Sequence, residues 1–496
     1  MRIVIEIRDE LISKMKYVIL ALFILFWIWF VYSTQLELVN SNIPQWETFL
    51  LLAAIFAIYM AINLWANDVA NNMWPAVWSK AITLGWAIFI AVIFEASWAL
   101  IAWWDVVDTI KWDIIKADMI WPWSVEFIAI MLSTMLWAAL WVNIATFFKA
   151  PVSITHSIFW GLIWAWITSA WLWIVNWWKV WAVASAWVVA ILMWWFLATW
   201  LYISIRKTIL KRKNMWEAAK HMVPIYVWLM SWIFTAYLIM KGFKKNLISS
   251  YQEWNWFFDF LLTEVPTKNK ETWEVLMKII TDIPTTIIVW IWVSILTYIS
   301  LLLYYKSREE WFFQDNRDFV RWLFNIPLIF AVALLSFAHW ANDVANAIWP
   351  LAAIYDAVVS SWDSLWKVWI PPWIMILWAV SLSLWLAVFG WRLIKTVWNE
   401  ITKLSQIQAY CVALSAAITV IIASAMSLPV STTQIAIGWV FGIWLYREYL
   451  KRKKWKNKII IKKSMIKSIL LSWIITLPVA WIIASITYLI IIFLSK

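Results

Sequence analysis

The sequence predicts an all-α polytopic membrane protein, with about ten to twelve transmembrane segments in two inverted-topology repeats that contain broken or re-entrant helices. Three observations predict it. Apolar runs recur from one end of the chain to the other, a motif at residues 65–75 returns at 340–350, and the loops leading into the two motifs differ in Lys and Arg content.

The apolar runs are Tyr17–Ser33, Glu47–Leu64, Ile82–Ile101, Phe127–Phe148, Trp181–Ile205, Ile287–Tyr304, Leu323–Ala338, Ile374–Phe389 and Ser468–Leu494. Several approach the roughly 20 residues that cross a hydrocarbon core of about 30 Å. With 65% hydrophobic and only 14% charged residues, a water-soluble fold of this length would leave a large apolar surface exposed. The net charge of +12 lies in clusters between the runs, at Arg206–Lys220, Lys306–Arg321, Arg392–Lys403 and Arg447–Lys467. That distribution fits the retention of Lys and Arg on the cytoplasmic side rather than one basic face for nucleic acid. The lone Cys411 excludes an intrachain disulfide. The first apolar run lacks a small-residue cleavage site and is expected to be a retained span.

The repeat is specific. Residues 65–75 read WANDVANNMWP and residues 340–350 read WANDVANAIWP, while PVSITHS begins at Pro151 and PVSTTQI at Pro429. The two pairs are offset by 275 and 278 residues, so a whole unit is duplicated. The run entering the first motif follows STQLELVNSNIPQWE, without Lys or Arg; the run entering the second follows a segment with Lys306, Arg308, Arg317 and Arg321. The copies are therefore expected to enter the membrane from opposite sides. The expected organisation is an N-terminal span and loop over 1–46, the first repeat over 47–205, and an inter-repeat region over 206–322 with a polar loop at 241–283. The second repeat covers 323–446, and a basic loop with a final span covers 447–496.

Each motif suggests its own chemistry. Asn67, Asp68 and Asn71, matched by Asn342, Asp343 and Asn346, stand on one helical turn, with Pro75 and Pro350 expected to terminate or kink it. A carboxylate inside the bilayer is costly and usually functional; with Asn carbonyls beside it, the set suits a hard cation such as Na⁺. Helix gluing by Asn and Asp is the plain alternative. In the second motif, Ser153, Thr155, Ser431, Thr432 and Thr433 place hydroxyls at helix N-termini, where uncommitted N–H groups favour an oxyanion. Ordinary Ser/Thr capping is the alternative there. An acidic cation site beside an anion site binds the two ions better jointly than singly, which is the logic of symport. Asn71 and Asn346 are placed with the anion ligands and Glu95 with the cation ligands. His156 follows the hydroxyls as a carrier of a proton or a donor to the anion, or as a packed helix histidine; His339 is a weaker candidate.

These strings resemble the inorganic phosphate transporter family, the bacterial phosphate permeases and their eukaryotic sodium–phosphate relatives, which carry GANDVANA and PVSTTH in each half. The resemblance implies import of inorganic phosphate with Na⁺ or H⁺, by a multi-pass protein of the bacterial inner (plasma) membrane that is not an enzyme and needs no cofactor beyond the co-transported ion. It implies cation and substrate binding by Asn67, Asp68, Asn342 and Asp343, and phosphate contacts from Ser153, Thr155, Ser431 and Thr432. The expected partners are phosphate, Na⁺ or H⁺ and the lipid bilayer, with no nucleic acid; a homodimer is compatible with the sequence. Ile154 and Gln434 depart from the family's Thr and His, so a hydroxyl and an imidazole are lost there. A sulfate permease on the same scaffold, a passive anion channel and an intramembrane aspartyl protease built on the paired aspartates are the rival readings.

The chain also holds 52 Trp and only 6 Gly, although glycine usually supplies about 7% of residues. Trp stands at positions that read as glycine, as at Trp164 and Trp166 beside Gly161. Either the protein is truly Trp-rich, or its gene uses UGA for glycine and these residues reflect a different reading of that codon.

Overall fold

A computed structural model describes residues 21–35, 45–101, 125–147, 152–237, 316–359, 404–426 and 463–495 as continuous stretches. It also describes scattered positions that include 428–431, 434, 438, 442 and 446. The side chains of 64–71, 95–101 and 343–347 lie outside the description, as do the polar loop 241–283, the cluster Arg392–Lys403 and most of the run Ile374–Phe389.

All the long elements are helical. They are α1 (Trp46–Trp78), α2 (Leu84–Ile101), α3 (Val125–Phe147), α4 (Ile154–Ala170), α5 (Trp177–Ile205), α6 (Met215–Tyr237), α7 (Asn316–Leu323), α8 (Asn325–Val359), α9 (Gln406–Ala425) and α10 (Lys463–Ser495). Five segments among the described residues are long and apolar enough to span a bilayer: Val125–Ala145, Trp177–Leu210, Arg317–His339, Gln406–Ala425 and Ile474–Ser495. Five shorter apolar helices, including Trp46–Ala61, Leu84–Phe94 and Ile348–Val359, accompany them. The protein is an all-helical, polytopic membrane protein.

Most of these helices are apolar all round, so packing partners decide which face is buried. The motif helices α1 and α8 pack directly on each other, α3 lies on α1, and α9 lies on α8. Nearly the whole of α9 is buried, from Ile407 to Ser424. By contrast α5 and α10 leave large apolar side chains exposed, such as Trp181, Val188 and Phe196, and Trp481, Leu489 and Phe493. Those two helices form part of the lipid-facing surface. Side-chain bonds fix the neighbours. Trp141 Nε1 donates to Thr476 Oγ1 (3.1 Å), Thr168 and Ser485 share a hydroxyl bond (2.7 Å), and Gln406 Nε2 donates to the Ser79 carbonyl (2.9 Å).

Of the expectation that Pro75 and Pro350 terminate or kink their turns, the termination is corrected. Neither Pro75 nor Pro350 ends its helix: α1 runs for 33 residues and α8 for 35, each with its proline inside. At a rise of about 1.5 Å per residue each is roughly 50 Å long. A proline removes one intrahelical bond, and here the flanking side chains are held by tertiary packing. Met73, Trp74 and Ala76 are buried around Pro75, and Ile348, Trp349 and Leu351 around Pro350. The helical interruptions fall at the second motif instead. Val152 and Ser153 precede α4 in non-helical backbone, and Leu428–Ser431 is non-helical after α9. Val152, Pro429 and Val430 are all buried. Irregular backbone at membrane depth survives where protein surrounds it, and this is such a place.

Candidate functional site

The two PVS segments start helices in the same way. Ser153 sits in extended backbone (φ −92°, ψ 123°) and its Oγ accepts from the His156 N–H at 3.1 Å. Ser431 Oγ accepts from the Gln434 N–H, also at 3.1 Å. Each serine is thus an N-cap. Capping uses an oxygen lone pair and leaves the hydroxyl proton available as a donor. An anion placed there meets that proton and the positive end of the helix.

The segments are also braced from outside. The Val430 N–H donates to Asn342 Oδ1 (3.1 Å), and the Val430 carbonyl accepts from Asn342 Nδ2 (2.5 Å) and from Thr155 Oγ1 (3.2 Å). One motif asparagine therefore treats Val430 as a neighbouring strand would, satisfying both of its main-chain groups. In a dry interior, each such group left unpaired would cost about 1–3 kcal/mol. The bond from Thr155 uses its hydroxyl proton, so that side chain faces any ligand with lone pairs only.

His156 and Gln434 complete the centre. Gln434 Nε2 lies 3.1 Å from His156 Nδ1. With the amide donating, Nδ1 accepts and the neutral ring carries its proton on Nε2. The Trp187 ring lies 3.7 Å, centroid to centroid, from the imidazole, and its Nε1 donates to the Pro429 carbonyl (2.8 Å).

Ser153, Thr155, His156, Ser431 and Asn342, all expected in the site, therefore come together. The backbone at Asn67, Asp68 and Asn71 is helical in α1, and that at Asp343 and Asn346 is helical in α8. Their side chains lie outside the description, as does that of Glu95 on α2; Thr432 and Thr433 lie outside the described residues. His339 is fully buried on α8, three residues before Asn342. Sequence reasoning read Gln434 only as a lost imidazole and passed over the Val430 main chain. The equal offset of the motifs was the available signal, since it pairs Gln434 with His156.

A model of the phosphate transporter family matches residues 65–484. The chain belongs to the phosphate transporter family. It is similar to a protein of Helicobacter pylori strain J99 named as a phosphate permease, with 38% identity over 82% of this chain and 70% of that one. A Pyrococcus abyssi protein named likewise is 30% identical over 89% of this chain and 98% of the relative. Among solved structures, one titled the sodium-dependent phosphate transporter superposes with a TM-score of 0.72 at 25% identity, covering 89% of this chain and 98% of the other. As a member of this family the protein is a membrane transporter and not an enzyme.

Proposed function

We propose that the protein imports inorganic phosphate by symport with a cation, across the plasma membrane of a bacterium. The observation that carries this reading is the meeting of the two PVS segments. Two capped helix starts, each with a hydroxyl proton to donate, lie beside a motif asparagine from α8. That arrangement suits a tetrahedral oxyanion, which helix N-termini hold without a buried Lys or Arg.

Ser153 and Ser431, with Thr432, Thr433, Asn71 and Asn346, contact phosphate. Asp68, Asp343, Asn67 and Glu95 hold the cation, and Asn342 and Thr155 keep the Val430 backbone in place. Na⁺ is favoured over H⁺ because the solved relative is titled sodium-dependent. The two copies, 47–205 and 323–446, are related by an axis in the membrane plane, with the site between them. Contact between equivalent residues of the two copies, His156 and Gln434, supports that axis.

Purified protein in sealed vesicles tests this with labelled phosphate under an imposed Na⁺ or pH gradient. Accumulation driven by the Na⁺ gradient is expected, and its loss in Asp68→Asn and in Asp343→Asn. If neither gradient drives uptake above that of protein-free vesicles, the proposal is wrong.

A further inference from the structure

The aromatic packing around the site is at odds with a cavity for an ion. Trp187 covers His156, and Phe159 and Trp160 meet Trp187 with centroids 5.1 and 6.4 Å away. On the motif helices, Trp74 and Trp349 are both among the largest fully buried side chains. They occupy the same place in the two copies, one residue before the helix proline.

Of these indoles Trp349 is poorly accommodated, as are several elsewhere in the chain. Among the described residues, Nε1 of Trp27, Trp164, Trp166, Trp349 and Trp378 is buried with no hydrogen-bond partner. A buried tryptophan usually finds one, and an unmet donor costs about 1–3 kcal/mol. Helix crossings in membranes, moreover, favour small residues, which let backbones approach. Two of the glycines that remain, Gly161 and Gly442, sit at such close approaches. A Cβ at Gly161 would come within 2.1 Å of the Trp137 ring, and one at Gly442 within 2.5 Å of Trp195. Large indoles at the other crossings break that pattern, and the count of 52 Trp to 6 Gly carries the same imbalance through the whole chain.

We propose that most of these tryptophans stand at UGA codons that the cell decodes as glycine, that glycine at positions 160 and 187 opens an ion cavity beside His156 and Pro429, and that glycine at 74 and 349 frees the motif helices at their prolines. UGA lies one base from the glycine codon GGA and one base from the tryptophan codon UGG, so a single change of decoding accounts for the reciprocal excess and deficit. With glycine at 187 and 160 the imidazole loses its aromatic cover. With glycine at 74 and 349 each motif helix gains, just before its proline, a residue that tolerates close approach and unusual backbone angles. The second half of the proposal rests on the transport reading above; the first half does not.

Two measurements test it. Peptide mass spectrometry on the chain isolated from the cells that carry the gene reads the residues directly. Glycine masses are expected at 74, 160, 187 and 349, and tryptophan masses there overturn the decoding. Uptake of labelled phosphate under a Na⁺ gradient then compares two forms made in a host with the standard code: a glycine form with glycine at every position the peptides read as glycine, and a tryptophan form that differs from it by tryptophan at those four positions. The glycine form is expected to accumulate phosphate and the tryptophan form to match protein-free vesicles. Equal accumulation by the two forms overturns the cavity. Peptides carrying glycine while the glycine form fails under every gradient sink the transport reading and leave the decoding standing.

Discussion

The amide of Gln434 and the imidazole of His156 are hydrogen-bonded at 3.1 Å, and the two residues occupy the same position of the two PVS motifs. A contact between equivalent positions occurs where two copies meet about a common axis, as in an isologous interface. In the proposed arrangement of the two copies, the axis passes between the two capped helix starts, and the walls on either side differ in this pair, a ring facing an amide.

That unlike pair gives the first prediction. His156→Gln keeps a side chain that can pair with Gln434 and removes the group able to carry a proton. Uptake driven by Na⁺ is expected to survive in this variant and to drop in His156→Ala, which leaves Gln434 without its partner. Initial rates in vesicles at fixed Na⁺ gradient check it; loss of uptake in His156→Gln would instead assign His156 to proton transfer.

Asn342 is expected to be needed for stability as well as for transport. Asn342→Leu strips the buried Val430 N–H and carbonyl of their Asn342 partner, at about 1–3 kcal/mol for a group left unpaired. The carbonyl keeps Thr155. A fall in the thermal midpoint of the detergent-solubilised protein reads this, and an unchanged midpoint would show that the brace is dispensable.

The two cap serines separate capping from ligand binding. Ser153→Ala and Ser431→Ala each lose a cap, typically about 1 kcal/mol, together with the hydroxyl proposed to donate to phosphate. Asp in place of either serine caps equally well but brings negative charge to the anion site. Ser153→Asp is therefore expected to stay folded by thermal unfolding while phosphate uptake fails. If it transports normally, Ser153 is a cap and nothing more.

Removing the Trp141 bond to Thr476 is the mildest change. Trp141→Phe keeps most of the ring packing and deletes one bond to α10, worth about 0.5–1.5 kcal/mol. A small drop in thermal midpoint with unaltered phosphate uptake is expected.

Much of this was legible in the residues. Runs such as Phe127–Phe148 and Trp181–Ile205 correspond closely to α3 and α5, because a span needs length and apolarity, and both are local properties. The duplicated strings identified Ser153, Ser431, His156 and Asn342 as belonging together. Where the helices break was not legible. Pro75 and Pro350 carry the usual signal of a helix end, yet α1 and α8 run through them among buried neighbours such as Met73, Ala76, Ile348 and Leu351. The buried turns before α4 and after α9 are sustained by partners far away in sequence, Asn342 for Val430 above all. Gln434 read as the loss of a histidine because equal offsets establish equivalence and say nothing about contact.

The last helix has a consequence for motion. The bonds of Thr476 to Trp141 and of Ser485 to Thr168 fasten α10 to α3 and α4, although the partners are 335 and 317 residues apart in the chain. If the halves rock against each other during a transport cycle, the C-terminal helix moves as cargo of the opening half. The mechanical boundary of the machine then does not follow the order of the polypeptide.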